Sequence, residues 1–304
     1  MRCSYILGLI TTASSIAFAA TLNFRQSATT EVYKFPGPPA WAEGIAARST
    51  GQLLVSFFDG GELWSLDPTT KNASKVATFP DATCTGGITE IAPDVFAVVA
   101  GKFTFAGGNT AGSWGIWKVD FSTGAPKTSL LKKVPESRFF NGLTTLNNDT
   151  ILIGDAEKGA VWRMNVNTGN YSIAIQDETM VPVPGAAAAM GIDGLRYSNG
   201  VLYFTNVFGN RFHKVAVDTS GAKAGTIDTI WSDTTADDLW VTPDGTSYVA
   251  TGGSNKIQKV TSDGKISTIA SVSSSTAVTL GRGQADRDTL YISTGSGSIF
   301  SVKV

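Results

Sequence analysis

Apolar and polar residues alternate with a period of two along most of this chain, in short runs bounded by Gly, Asn, Asp or Ser. That period is the mark of half-buried strands. The runs are Gln52–Phe57, Glu62–Leu66, Val95–Ala100, Ile116–Phe121, Ile151–Ile153, Val161–Val166, Val201–Thr205, Phe212–Val217, Ser247–Thr251, Lys256–Thr261, Thr289–Ser293 and Ser298–Val302. Hairpin turn chemistry separates them at Asp59-Gly60-Gly61, Lys158-Gly159, Ser198-Asn199-Gly200, Pro243-Asp244-Gly245 and Ser262-Asp263-Gly264. No segment carries a convincing amphipathic-helix pattern. The fold class this predicts is all-β.

A longer period lies above the strands. Polar doublets recur at Glu43-Gly44, Asn141-Gly142, Asp193-Gly194 and Asp237-Asp238, with a degenerate copy at Gly86-Gly87. Each precedes one strand-like run about ten residues on and another about eighteen on. A sixth unit starts near Thr276-Ala277. The intervals, about 40 to 54 residues, suit four-stranded blades and predict a six-bladed β-propeller. The run Thr30–Phe35 precedes the first blade and can pair with the last, closing the ring and covering an exposed edge. An all-β sandwich is the other reading, but it gives no reason for related residues at equivalent positions.

Composition narrows the partners. The 304 residues have a formal net charge of −1 and no basic stripe, which argues against nucleic acid. Arg2, the apolar stretch Tyr5–Phe18 and the small-x-small motif Ala17-Phe18-Ala19 predict a signal peptide over residues 1–19 and a single propeller domain over 20–304. The expected location is therefore secreted, with no membrane association after cleavage. Sequons at Asn72, Asn148 and Asn170 suit that route. With Cys3 in the leader, Cys84 is left alone, more a small buried residue than a reactive thiol. The expected state is a monomer.

The doublets also carry the candidate chemistry. Singly, each is ordinary tight-turn material. In register around a propeller axis, Glu43, Asn141, Asp193 and Asp238 converge at one end of the channel. Crowded carboxylates either hold a hard cation such as calcium or keep a proton for general-acid work. Aromatic residues sit close by in sequence: Trp41, Phe139, Phe140 and Trp240 beside doublets, and Phe103, Phe105 and Trp114 in a Gly-rich insertion, Lys102–Trp114. A rim of Trp41, Phe103, Phe140 and Trp240 over a polar floor containing Asn141 suits a small apolar organic molecule. Such rings also pack between blades, and that reading stays open. The one histidine, His213, lies far from its doublet, as a surface or inter-blade residue, and supports neither a Ser-His-Asp triad nor a histidine zinc site.

At these residues a likeness emerges. The stretch PAWAEGIAARSTGQLLVSFFDGGELWSLDP resembles the opening of regucalcin/gluconolactonase-like propellers, FFNGLTTLNNDTILIGDAEKGAVWRM their Asn-Gly blade, and TADDLWVTPDGTSYVATGGSNKIQKV their acidic blade. The resemblance implies a channel calcium ion held at Glu43, Asn141 and Asp238, with Asp193 standing where related hydrolases tend to have Asn. GITEIAPDVFAVVAGKF, GSWGIWKVDF and GIDGLRYSNGVLYFTNV further resemble secreted fungal propellers of that superfamily. That group includes hetero-Diels–Alderases of tropolone-sesquiterpenoid pathways, which implies secondary metabolism.

Three functions follow as expectations. The first is a pericyclase that joins a quinone-methide-like diene to an apolar alkene, with Glu43, Asp193 and Asp238 as the catalytic carboxyls. The second is a calcium-dependent lactonase or esterase in which Asp238 or Asp193 activates water. The third is a non-catalytic binding propeller.

Overall fold

The computed structural model describes residues 27–304. The predicted signal peptide lies outside them. Six four-stranded antiparallel sheets follow one another as blades. Blade 1 is Ala42–Ala47, Leu53–Phe57, Gly60–Asp67 and Asn72–Thr78. Blade 2 opens on Cys84–Ala92, blade 3 on Phe140–Asn147, blade 4 on Ile192–Ser198, blade 5 on Leu239–Val241 and blade 6 on Ser275–Leu280. Blade 6 takes its outermost strand from the other end of the chain. Thr30–Lys34 pairs antiparallel with Ser298–Lys303, which closes the ring as expected and leaves that edge covered.

Burial grades across each blade. In blade 1 every residue of the innermost strand and of its neighbour is buried. Outer strands face solvent, as in the lysine-rich Lys127–Lys133. Apolar clusters fill the spaces between blades; one joins Phe140 and Trp162 of blade 3 to Val99 and Trp114 of blade 2. Cys84 is buried in that cluster. Among the described residues no α-helix occurs and no helix could cross a membrane.

The doublets are not turns. In five blades they lie inside the innermost strand, where the pairing register slips: Ala42/Ile45, Thr85/Ile88, Phe140/Leu143, Ile192/Leu195 and Ser275/Val278. Such a bulge re-aims one side chain out of the sheet. The doublet glycine serves the approach of the next blade. A Cβ on Gly142 would stand 2.2 Å from the Asp193 carbonyl oxygen, so nothing larger fits. A hydroxyl then stitches adjacent blades. Ser56 Oγ accepts from Gly44 N (2.9 Å) and donates to Gly86 O (2.6 Å). Thr205 does the same between Gly194 N and Asp237 O, and Ser293 between Ala277 N and Glu43 O. Each hydroxyl satisfies a donor and an acceptor that would otherwise be buried unpaired.

Candidate active site

The bulges of blades 1, 3 and 4, and the stretch just before the blade 5 strand, put Glu43, Asn141, Asp193 and Asp237 at one mouth of the channel. Glu43, Asp193 and Asp237 each bring a carboxylate oxygen within 4.8 Å of the others. Asn141 lies among them and donates from Nδ2 to Asp193 Oδ1 and, at 3.5 Å, to Glu43 Oε1. Its amide oxygen turns toward blade 2, where a Cβ on Gly86 would stand 3.2 Å away. The degenerate Gly-Gly doublet thus leaves room for the Asn141 side chain. Trp41 Nε1 donates to the other Glu43 oxygen at 2.8 Å.

These carboxyls hold their protons tightly. Burial pushes Glu43 up to about 7, against the hydrogen bonds from Trp41 and Asn141 and with repulsion from Asp238 adding to it. Asp193 is raised well above the carboxylate range by burial, then by the charges of Glu43 and Asp238. Asp237 is raised well above it by burial, then by Asp193, Glu43 and Asp238. Burial thus favours the protonated form of these acids, and a protonated carboxyl can donate a hydrogen bond.

Above that floor lies a cavity of about 410 Å³ walled by Trp41, Phe58, Phe103, Phe105, Phe139 and Met190. The rings form a continuous cluster: Phe58 and Phe103 have centroids 4.5 Å apart, Phe103 stacks on Phe139 at 5.5 Å, and Trp41 meets Phe105 at 5.4 Å. The Gly-rich insertion supplies Phe103 and Phe105 from a two-stranded ribbon, Phe103–Thr104 with Gly108–Asn109. Asn109 pins the ribbon, donating to Arg138 O and Glu157 Oε1 and accepting from Trp114 Nε1. Two caps fix the wall: the exposed Asp59 accepts from the N–H groups of Ala40 and Trp41, and the buried Asp155 from those of Arg138 and Phe139. A second lobe of about 440 Å³ adjoins across Trp41, Phe208 and Asp237.

Three residues expected here stand elsewhere. Asp238 is the second member of its doublet; it turns back into the channel, accepts from Leu239 N at 2.8 Å and faces Arg196 Nη2 at 3.6 Å. Phe140 is fully buried between blades beside Trp162, while its neighbour Phe139 takes the wall. Trp240 lies at the opposite mouth under Arg196. Sequence spacing carried these placements. Counting from the first doublet member, the residue two before it is Trp41 or Phe139, at the wall, and the residue one before it is Ala42, Phe140, Ile192 or Ala236, all fully buried. The residue three after it is Ala46, Thr89, Thr144, Arg196 or Trp240, all at the far mouth. Phe58, Met190, Phe208 and Glu157 had no such signal, since loops bring them in.

His213 is buried, not at the surface. It stacks on Phe204 at 4.9 Å within blade 4, with Nδ1 3.1 Å from Thr229 Oγ1. Burial lowers it to about 4, so it stays neutral and takes no part at the mouth. The sequon residues Asn72, Asn148 and Asn170 are all exposed.

A family model described as SMP-30/Gluconolactonase/LRE-like region matches residues 41–296. The chain belongs to this family. Within reach of it by sequence is a protein of Phoma sp named "Putative hetero-Diels-Alderase", 25% identical over 307 residues that cover 86% of this chain and 84% of the relative. Among solved structures, a gluconolactonase from Xanthomonas campestris superposes with a TM-score of 0.68 at 17% identity, covering 93% of this chain and 92% of that one. The calcium-binding protein regucalcin from Agrobacterium tumefaciens gives 0.66 at 14%, covering 91% and 93%. At those identities the likeness speaks for the fold. The SMP-30/gluconolactonase propeller is the frame that carries the aromatic ribbon and the loop residues of the mouth.

Proposed function

We propose that this protein is a small-molecule enzyme of the hetero-Diels–Alderase type, which joins an oxygen-containing, quinone-methide-like diene to an apolar alkene in the aromatic mouth. The observation that carries the reading is the cavity itself: a largely apolar, ring-lined wall directly above a cluster of carboxyls whose burial favours the protonated form. A [4+2] addition forms one C–O and one C–C bond, loses no atom and needs no oxidant. It asks of a protein only that two partners be held together and that the diene oxygen be polarised. Confinement supplies the first, and effective concentration alone is worth up to roughly 7–11 kcal/mol. A proton on Glu43 or Asp237 supplies the second, since negative charge builds on that oxygen in the transition state. The relative from Phoma sp supports the same reading. The test is to generate the quinone methide in the presence of a terpenoid alkene and purified protein. Acceleration with one stereoisomer in excess is expected; a rate and a racemic product equal to the spontaneous reaction overturn it.

One observation favours a second reading, a calcium-dependent lactonase or esterase. The three carboxylates bring oxygens within 4.8 Å of one another, a donor set of the kind a hard divalent cation takes. Glu43, Asp193 and Asp237 would hold the ion, which would supply Lewis-acid polarisation of a carbonyl. Chelator separates the two: cycloaddition is indifferent to it, lactone hydrolysis is abolished. We also propose that the protein enters the secretory route, supported by the apolar N-terminal stretch and three exposed sequon asparagines. A mass shift of the host-secreted protein on enzymatic deglycosylation is expected, and its absence, together with cytosolic retention, overturns it.

A further inference from the structure

The opposite mouth of the channel is also a built cavity, of about 520 Å³. Its floor is Arg196, which the blade 4 bulge places three residues after Asp193. Arg196 is only 8% exposed. Its Nη1 donates to Leu143 O at 2.9 Å and its Nη2 lies 3.6 Å from Asp238 Oδ2. Its Nε has no partner although it is buried. A buried guanidinium N–H without an acceptor is costly and seldom left so. Trp240 lies beneath the guanidinium, 5.5 Å from its carbon to the ring centroid.

Two more arginines stand at the rim. Arg282 pairs with Glu90 and donates to Ala47 O at 3.3 Å; Arg287 is exposed. Glu90 is the one carboxylate in the lining against these three guanidinium groups. Asp238 behind Arg196 and Asp286, held by Tyr291 behind the rim loop, offset part of the excess. Between floor and rim the lining is mixed: Ile88, Phe96, Val241 and Leu280 give it an apolar side, and threonine and serine hydroxyls, Thr144 and Ser198 among them, a polar one.

We propose that this far mouth is a second binding site, for a small organic carboxylate with a flat apolar body. A carboxylate fits the Nε–Nη2 edge of Arg196 side-on, with two parallel hydrogen bonds, and completes the orphaned donor. The apolar body lies along Trp240 and the aliphatic wall, and Arg287 draws the anion in from solvent. Inorganic phosphate shares the charge but leaves the apolar wall against water, so it binds less well. The site is separate from the carboxyl mouth, because it uses the other ends of the same strands.

Calorimetric titration of the intact protein with benzoate, inorganic phosphate and benzyl alcohol tests it. One benzoate per chain is expected, bound at least about tenfold more tightly than either control, since each control lacks one half of the recognition. Arg196→Gln abolishes the benzoate signal. Arg287→Gln, at the exposed rim and harmless to folding, weakens it by roughly threefold to tenfold, as loss of one solvent-screened charge does. Glu43→Gln leaves it unchanged. Phosphate binding as tightly as benzoate overturns the organic-carboxylate assignment. No heat with any probe, or benzoate binding equally to folded Arg196→Gln and Arg287→Gln, overturns the site.

Discussion

The two mouths of the channel are made from the same innermost strands, only three residues apart along each, yet they carry opposite chemistry. At one end Glu43, Asp193 and Asp237 gather with Asn141 beneath a ring-lined cavity. At the other, Arg196, Arg282 and Arg287 meet Trp240 and a lining of apolar and hydroxyl side chains. Asp238 lies between them and belongs by contact to the arginine end. In blades 1, 3 and 4 the doublet bulge sends one residue to the near mouth and its third successor to the far one, and blade 5 keeps the same spacing without a bulge. Blade 5 makes the distinction sharpest, because two adjacent aspartates serve different ends.

Replacing Asp237 gives the largest expected effect. Asp237→Leu lowers the cycloaddition rate by about 10²–10³-fold, the usual loss of a donor aimed at developing charge. Asp237→Asn keeps an N–H donor and retains more of the rate, whereas it turns an anionic cation ligand into a neutral one; equal collapse of both variants would favour the calcium reading. Steady-state rates with quinone methide and alkene measure this.

Asp238 should behave in the opposite sense. Asp238→Asn leaves the Arg196 charge buried and alone, and destabilises the fold by roughly 3 kcal/mol, while Asp237→Asn does not. Urea denaturation of the pair reads the difference.

Acidity distinguishes the ends next. Glu43 has a folded value of about 7 against an ordinary 4.5. The folded state therefore keeps a proton that the unfolded chain releases as pH rises between these values, and stability falls across that window by roughly 3 kcal/mol. Glu43→Gln makes the profile of melting temperature against pH shallower, and the raised Asp193 and Asp237 keep its direction. The cycloaddition rate also falls as pH climbs through 7, because Glu43 loses the proton it would donate.

The smallest effect is at the wall. Phe103→Ala raises KM for the alkene about tenfold, by removing apolar contact that substrate and transition state share. Phe96→Ala, at the far mouth, leaves that KM alone.

Much of this was legible in the chain. The twelve alternating runs are the two middle strands of all six blades, where both edges are paired and one pattern holds throughout. Outer strands such as Lys127–Lys133 escaped because most of their residues face water, and inner strands because the bulge breaks their alternation. The doublets marked the channel for the same reason that they hid the strand. Their first members alone face the carboxyl mouth, and reading Asp237-Asp238 by the rule that holds for Glu43-Gly44 selects Asp237 over Asp238. The wall was only half legible. Trp41 and Phe103 reach it, while Phe139 takes the place expected of Phe140 and the loops bring Phe58 and Phe208 across the ring.

The most direct test of the central claim is the position of a bound dihydropyran product in a crystal of the protein. The account predicts its ring oxygen in hydrogen-bond contact with the carboxyl of Glu43 or Asp237 and its apolar body against Phe103 and Phe139. A product seated on Arg196 at the far mouth, or a cation clasped by all three carboxylates and ligating the bound molecule, would contradict it.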